Sequence, residues 1–126
     1  MKLIIAGSRT ITNLTSYWVR DTLSQFGIDH ENADVITEVV SGTAGGVDTI
    51  GEKFAKKYLI PIKQFPADWD NKGRGAGHIR NAEMGKYADA LLLIWDGQSK
   101  GSASMKAIMK KLNKPIYEVI IKWNFL

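Results

Sequence analysis

Cysteine is absent from this 126-residue chain, which excludes disulfide staples and thiol chemistry. Histidine occurs only twice, so zinc would have to rest on two imidazoles plus carboxylates, and no metal site is expected. No apolar run approaches the length of a membrane span. Lys2 followed by Leu3-Ile4-Ile5-Ala6 reads as a short strand rather than a signal peptide, so a cytoplasmic protein with no membrane partner is expected. Low-complexity tracts and repeats of solenoid or propeller period are missing too, which removes disorder and repeat architectures. What remains is a globular balance of 44% hydrophobic and 24% charged residues, enough to build one core in a single domain over 1–126. The excess charge is small: +4, with a pI near 9.3, favours anionic partners without choosing between nucleotides and polynucleotides.

Strand-length apolar runs alternate with longer amphipathic segments, the pattern of a parallel sheet flanked by helices, so the expected class is α/β. Lys2–Ala6 reads as the first strand. A helix follows over Thr15–Phe26, with Gly27 as its stop and Trp18, Leu23 and Phe26 inward. Val35–Val40 is the second strand, its apolar run broken by Glu38. Val47, Ile50, Phe54 and Tyr58 make one stripe of a second helix, Val47–Tyr58. Pro61–Phe65 is a short third strand, and Pro66–Gly77 reads as a long loop, a feature that in compact domains often carries function. His78–Tyr87 is the third helix, and Ala90–Trp95, apolar on both faces, is a central strand. The fourth helix, Ser102–Leu112, turns Met105, Ile108, Met109 and Leu112 inward. Its lysines Lys106, Lys110 and Lys111, with Lys114 beyond, point outward near the end where cations complement the dipole. Pro115–Ile121 is the fifth strand. The apolar Trp123, Phe125 and Leu126 after it suit packing on a neighbour, hence a homodimer or higher oligomer.

The most informative stretch is Ser41-Gly42-Thr43-Ala44-Gly45-Gly46-Val47-Asp48-Thr49, a glycine-rich turn from strand to helix. Backbone N–H groups there lack intrahelical partners and share the positive end of the helix dipole, which suits an anion. Loops leaving the C-terminal ends of parallel strands share one edge, and four of them carry such signals: Gly7-Ser8-Arg9, Ser41–Thr49, Asp68–Gly77 and Asp96–Ser104. A phosphate-bearing, nucleotide-like ligand explains all four together. Neither G-x-G-x-x-G nor G-x-x-x-x-G-K-[ST] occurs, so the dinucleotide fingerprint and the P-loop are both missing. Phosphate is expected on the amides of Gly45, Gly46, Val47 and Asp48 and of Gly101 and Ser102. Arg80 and Arg9 would clamp it, since the guanidinium fork matches phosphate oxygens.

Asp48 would bond a ribose hydroxyl or serve as a helix-start residue. Asp68 and Trp69 offer a polar partner and a stacking face to a ribose and base, or Trp69 closes its loop over the sheet. Asn81 suits a ribose or phosphate contact; His78, beside Arg80, is either an acid, base or donor or a solvated helix-start residue. Lys72 and Arg74 are either a lid or exposed charge. Thr49-x-x-Glu52 fits a capping box, and Ser102 and Ser104 sit where hydroxyls cap helices. No cofactor is expected, beyond a divalent metal that could accompany a phosphate.

Gly7-Ser8-Arg9, Ser41-Gly42-x-Ala44-x-Gly46-Val47-Asp48, Phe65-Pro66-Ala67-Asp68-Trp69, Gly77-x-Ile79-Arg80-Asn81-x-Glu83-Met84 and Gly101-Ser102 together resemble the small YspA-like members of the SLOG superfamily. The resemblance spans nearly the whole chain. It implies a single Rossmann-like three-layer domain with a mainly parallel five-stranded sheet, binding a nucleotide or nucleotide-derived signal. The Ser41–Asp48 loop is also similar to one in DprA-type DNA-processing proteins, which implies single-stranded DNA as an alternative partner. Arg80-Asn81-Ala82-Glu83-Met84 is similar to the Arg-Lys-x-x-Met element of Lonely Guy phosphoribohydrolases, which implies cleavage of a base from a nucleoside monophosphate. Those enzymes carry P-G-G-x-G-T-x-x-E with a glutamate implicated in catalysis, and Met105 stands at that position here. The task of a carboxylate beside the anomeric carbon would then fall to Glu83 or Asp68, with Asp48 and Glu52 as further substitutes.

Overall fold

Six consecutive apolar residues, Ala90–Trp95, can persist only where both faces of a strand are covered, and every one of them is buried beside the centre of a five-stranded sheet. The computed structural model describes residues 1–32 and 34–122. In chain order it runs β1 (Lys2–Gly7), α1 (Ser16–Gln25), β2 (Glu38–Ser41), α2 (Val47–Lys57), β3 (Ile62–Gln64), α3 (Trp69–Lys72), a 3-10 turn (Gly73–Gly75), α4 (Ala76–Tyr87), β4 (Ala90–Trp95), α5 (Lys100–Lys111) and β5 (Ile116–Ile120). The strand order is β3-β2-β1-β4-β5 and every pairing is parallel, so the mainly parallel sheet that was expected is wholly parallel among the described residues.

Alternation along the strands sorts the core into two layers. Leu3, Ile5, Val39, Leu92 and Ile94 meet Val19 and Leu23 of α1 and Val47, Ile50 and Phe54 of α2. On the opposite face Ile4, Ala6, Val40, Leu91, Leu93 and Trp95 meet Met84 of α4 and Met105 and Met109 of α5. The result is a Rossmann-like α/β domain of three layers. Among the described residues no helix is long and apolar enough to cross a membrane.

Several expectations are corrected. The ladder of β2 begins at Glu38, opposite Lys2, not at Val35; the stretch before it is tied to the chain start by single bonds, Thr37 N–H to Met1 O at 2.9 Å and the Met1 amino group to Val35 O, rather than by a continued ladder. Pro66–Gly77 is not one loop: the Asp68 carboxylate accepts from the Asn71 N–H at 3.3 Å and starts α3, and α4 is under way by Ala76. Helix α5 starts early because Ser99, rather than Ser102, is its cap, with Oγ accepting from the Ser102 N–H. The Thr49-x-x-Glu52 capping box does not form. Gly46 holds the cap position of α2, so Thr49 lies inside the helix, and Glu52 instead accepts from Ser41 Oγ at 2.6 Å and Gln64 Nε2 at 3.1 Å. Phe26 and Leu112 occupy the C-cap positions of their helices, at the rim of the core, and each is 39% exposed; Phe26 rests on Tyr117 at 5.2 Å between ring centroids, while Trp18 is half-buried against the core.

Two lysines expected to face water are engaged. Lys106 pairs with Glu118 at 2.9 Å, and Lys114 Nζ donates to the carbonyls of Gly85, Lys86 and Ala88 at 2.7, 3.2 and 2.7 Å, satisfying orphan acceptors at the end of α4. The apolar tail residues Trp123, Phe125 and Leu126 lie outside the described residues.

Candidate functional site

Strand order reverses direction between β1 and β4, because the chain steps outward from β1 to β3 on one face, then crosses back to β4 on the other. Loops leaving the C-terminal ends of these two strands diverge, and the crevice between them is where open α/β sheets bind ligands. Here that crevice is a cavity of about 320 Å³ lined by Gly7, Ser8 and Arg9 after β1, Ala44 and Asp48 at α2, Arg80, Asn81 and Met84 from α4, and Asp96, Ser99, Gly101, Ser102 and Met105 around α5. A second hollow of about 250 Å³ adjoins it, sharing Arg9, Ala44 and Arg80 and adding Gly42, Thr43, Pro66, Ala67 and Trp69. Segments far apart in sequence thus meet at one two-lobed site.

Its floor is fixed by close backbone approach. A side chain at Gly7 would put its first carbon 1.6 Å from the Ile94 carbonyl oxygen, so only glycine lets β1 and β4 end side by side. Ser8, 2% exposed, ties three loops together: its N–H donates to Ile94 O, its carbonyl accepts from Val47 N–H, and its hydroxyl accepts from Asp96 N–H at 3.0 Å.

This architecture changes the role of the glycine-rich turn. The Val47 N–H points to Ser8 O at 3.3 Å and the Asp48 N–H to Gly45 O at 3.1 Å, so two of the four amides expected to cradle phosphate are engaged within the protein. Gly45, Gly46 and Val47 do not line the cavity, and Val47 is core. Gly46 is glycine for packing reasons: at φ 55°, a side chain there would strike Ser8 O at 2.4 Å. The turn is a brace between two loops.

The N-terminus of α5 is open by comparison. Among the described residues the Lys100 and Gly101 amides have no protein acceptor, and the Ser102 hydroxyl is buried in the cavity wall without a hydrogen-bond partner. Buried polar groups are nearly always paired, so an unpaired hydroxyl lining a cavity is informative. Upstream, the Asp96 carboxylate accepts from Gln98 and Ser99 N–H at 2.8 and 2.9 Å, and these bonds hold its pKa below the ordinary value.

Arg80 is 8% exposed. Its Nη1 donates to Gly42 O and its Nε to Asn81 Oδ1 at 2.9 Å, which leaves three of its five N–H donors for the cavity. Burial lowers its pKa, with the Asp48 carboxylate acting in the opposite sense. Asn81 is held in turn by Gly101 O at 3.3 Å, linking α4 to the start of α5. Asp48, 5% exposed, accepts from the Ala44 N–H at 3.0 Å; burial raises its pKa to about 6, against the pull of that bond and of Arg80.

The remaining candidates scatter. Trp69, half exposed, forms a wall of the second hollow and lies against Gly77. Asp68 lines neither lobe, since its carboxylate is turned to Asn71. Glu83 is exposed on α4 outside the lining, and His78 Nδ1 is 2.9 Å from Ser104 Oγ. Lys72 and Arg74 are exposed. Met105 is buried in the wall of the first lobe. Sequence reasoning missed Ser99 as a site residue, although Asp96-x-x-Ser99 ahead of an amphipathic run signals a turn leading into a capped helix. Thr10, also in the lining, carries no sequence signal that separates it from an ordinary loop residue, while Met84 entered only as the last residue of the Arg80–Met84 stretch and not as a site residue.

Comparison with known proteins adds one similarity. No family model and no solved structure matches the chain. The chain is similar to the Gene 61 protein of Mycobacterium phage D29, 29% identical over 125 aligned positions that take in 91% of this chain and 93% of the phage protein.

Proposed function

We propose that the chain binds a nucleotide or nucleotide-derived signalling molecule in the two-lobed cavity at the C-terminal edge of the sheet. The observation that carries this reading is the pairing, in one cavity, of a buried guanidinium having unused donors with the open N-terminus of α5 and the unpartnered Ser102 hydroxyl. A phosphate placed there meets a fork-shaped cation, first-turn amides and a hydroxyl together. The neighbouring lobe, walled by Trp69, Pro66 and Ala67, is apolar enough to take a base against the indole face. The resemblance to small SLOG proteins points the same way.

The test is a thermal-shift screen with mono-, di- and cyclic nucleotides. A ligand at a hundred times its dissociation constant stabilises the fold by about 2.7 kcal/mol. Arg80→Ala and Ser102→Val should each shrink that shift. No stabilisation across the panel, or stabilisation unchanged in both variants, would refute the reading.

One observation favours hydrolysis of the bound nucleotide as a second reading: Asp48 is a buried carboxyl with a pKa of about 6 inside the cavity, the condition of a general acid near neutral pH. Release of free base from nucleoside monophosphates, abolished in Asp48→Asn, is the outcome this reading requires.

A further inference from the structure

The two edges of the sheet are treated differently. β3 spans three residues, carries exposed Lys63 and Gln64, and is bracketed by Pro61 and Pro66, all devices that discourage strand addition. β5 is longer and less guarded: Pro115 precedes it, but Ile116, Tyr117, Val119 and Ile120 surround a single charge, Glu118, which within its own chain pairs with Lys106 at 2.9 Å and accepts from Trp95 Nε1 at 2.8 Å. Its Ile120 is half exposed, and the exposed Phe26 ring extends the apolar surface beside Tyr117.

The backbone of β5 is equally available. Leu91 N–H donates to Pro115 O and Ile121 N–H to Trp95 O, so the odd-numbered residues turn their peptide groups to β4. The N–H and C=O groups of Ile116, Glu118 and Ile120 therefore face outward, and among the described residues none has a backbone partner. We propose that β5 pairs antiparallel with β5 of a second copy of this chain, joining two sheets into one of twice the width.

Charge selects both the partner and the register. Outward-facing groups must oppose one another, so a two-fold axis can fall at any residue of β5. One at Ile116 would set Glu118 against Lys114, whose Nζ already serves the carbonyls of Gly85, Lys86 and Ala88, and one at Tyr117 would set it against Ile116. That leaves axes at Glu118, at Val119 or at Ile120. The first sets Glu118 against its own copy, a like-charge pair that is destabilising when directly opposite, and the second sets Glu118 against Ile120. Only an axis at Ile120 brings Glu118 opposite Lys122 of the second copy, twice, with Val119 opposite Ile121. The strand is complementary to itself in that register. The inference is independent of what the cavity binds, and it turns the two cavities toward opposite ends of the joined sheet.

The absence of cysteine makes the register directly testable. Hydrogen-bonded antiparallel neighbours have Cα atoms about 5.5 Å apart, within disulfide reach, so Ile120→Cys should cross-link to its own counterpart on mild oxidation. Lys63→Cys on the opposite edge should not. Sedimentation of the unmodified chain should give twice its 14.0 kDa mass at high concentration. Ile120→Pro removes only an outward N–H, leaving the bonds to β4 intact, and should weaken dimerisation tenfold or more, on the order of two lost hydrogen bonds. Lys122→Glu, which opposes Glu118 with a like charge, should weaken it as well. A chain that stays monomeric, a dimer unaffected by both substitutions, or cross-linking at position 120 no better than at 63 overturns the proposal.

Discussion

Replacing Asp48 with Asn should stabilise the protein near neutral pH, although it removes a buried charge close to Arg80. An ordinary aspartate titrates near 3.8 and Asp48 near about 6, because burial costs the carboxylate more than the Ala44 amide and the Arg80 guanidinium return. At 1.36 kcal/mol per pH unit of difference, holding Asp48 ionised in the folded state costs about 3 kcal/mol. The sign follows from the raised value: the contribution is fully favourable below 3.8 and is lost as pH rises through about 6. Asn mimics the neutral acid, and its side-chain oxygen can still accept from the Ala44 N–H. At pH 7.5 Asp48→Asn should therefore raise the melting temperature by roughly 10 °C, on the scale expected for about 3 kcal/mol in a domain of this size. The gap should close as pH falls through 6 toward 4. Urea unfolding at pH 7.5, 6 and 4 gives the same comparison as free energies. An Asn variant no more stable than the parent at pH 7.5, or a gap that does not narrow on acidification, would refute the assignment of Asp48 as a carboxyl held against its solvation preference.

Other perturbations test other parts of the design. Gly7→Ala must force β1 and β4 apart at the cavity floor and should cost about 3 kcal/mol, the upper range for overpacking, measured by denaturant unfolding. Lys114→Met leaves the carbonyls of Gly85, Lys86 and Ala88 without their cation and should cost about 1–2 kcal/mol, with faster amide exchange confined to the last turn of α4.

The fold was legible because its strongest signals are local. β4 announces itself as six apolar residues, and α2 by the stripe through Val47, Ile50 and Phe54. Helix α3 was not legible, since four residues carry no periodicity and only the Asp68 cap marks the start. The site was legible as a set of loops but not as a set of directions. Nothing near Val47 reveals that its N–H will turn to Ser8, 39 positions earlier, rather than to a ligand; the contact exists only once β1 and β2 are paired. Lys114 misled in the same way, because the carbonyls it serves belong to another helix, whose end comes within reach only in the folded chain.

The position of β1 in the strand order has a consequence for how the molecule comes into being. β1 precedes the other four strands of the sheet in chain order and lies in its middle, yet its second neighbour, β4, begins at Ala90. Until then one side of β1 has no partner, and Ile4, Ala6 and Val40 on the face later covered by α4 and α5 stay open to solvent or to chaperones. Pairings across such separations fold slowly, and transiently uncovered apolar surface invites aggregation. The nascent chain should thus pass through a vulnerable half-sheet of β1, β2 and β3, protected on one side only, before its C-terminal third closes the domain.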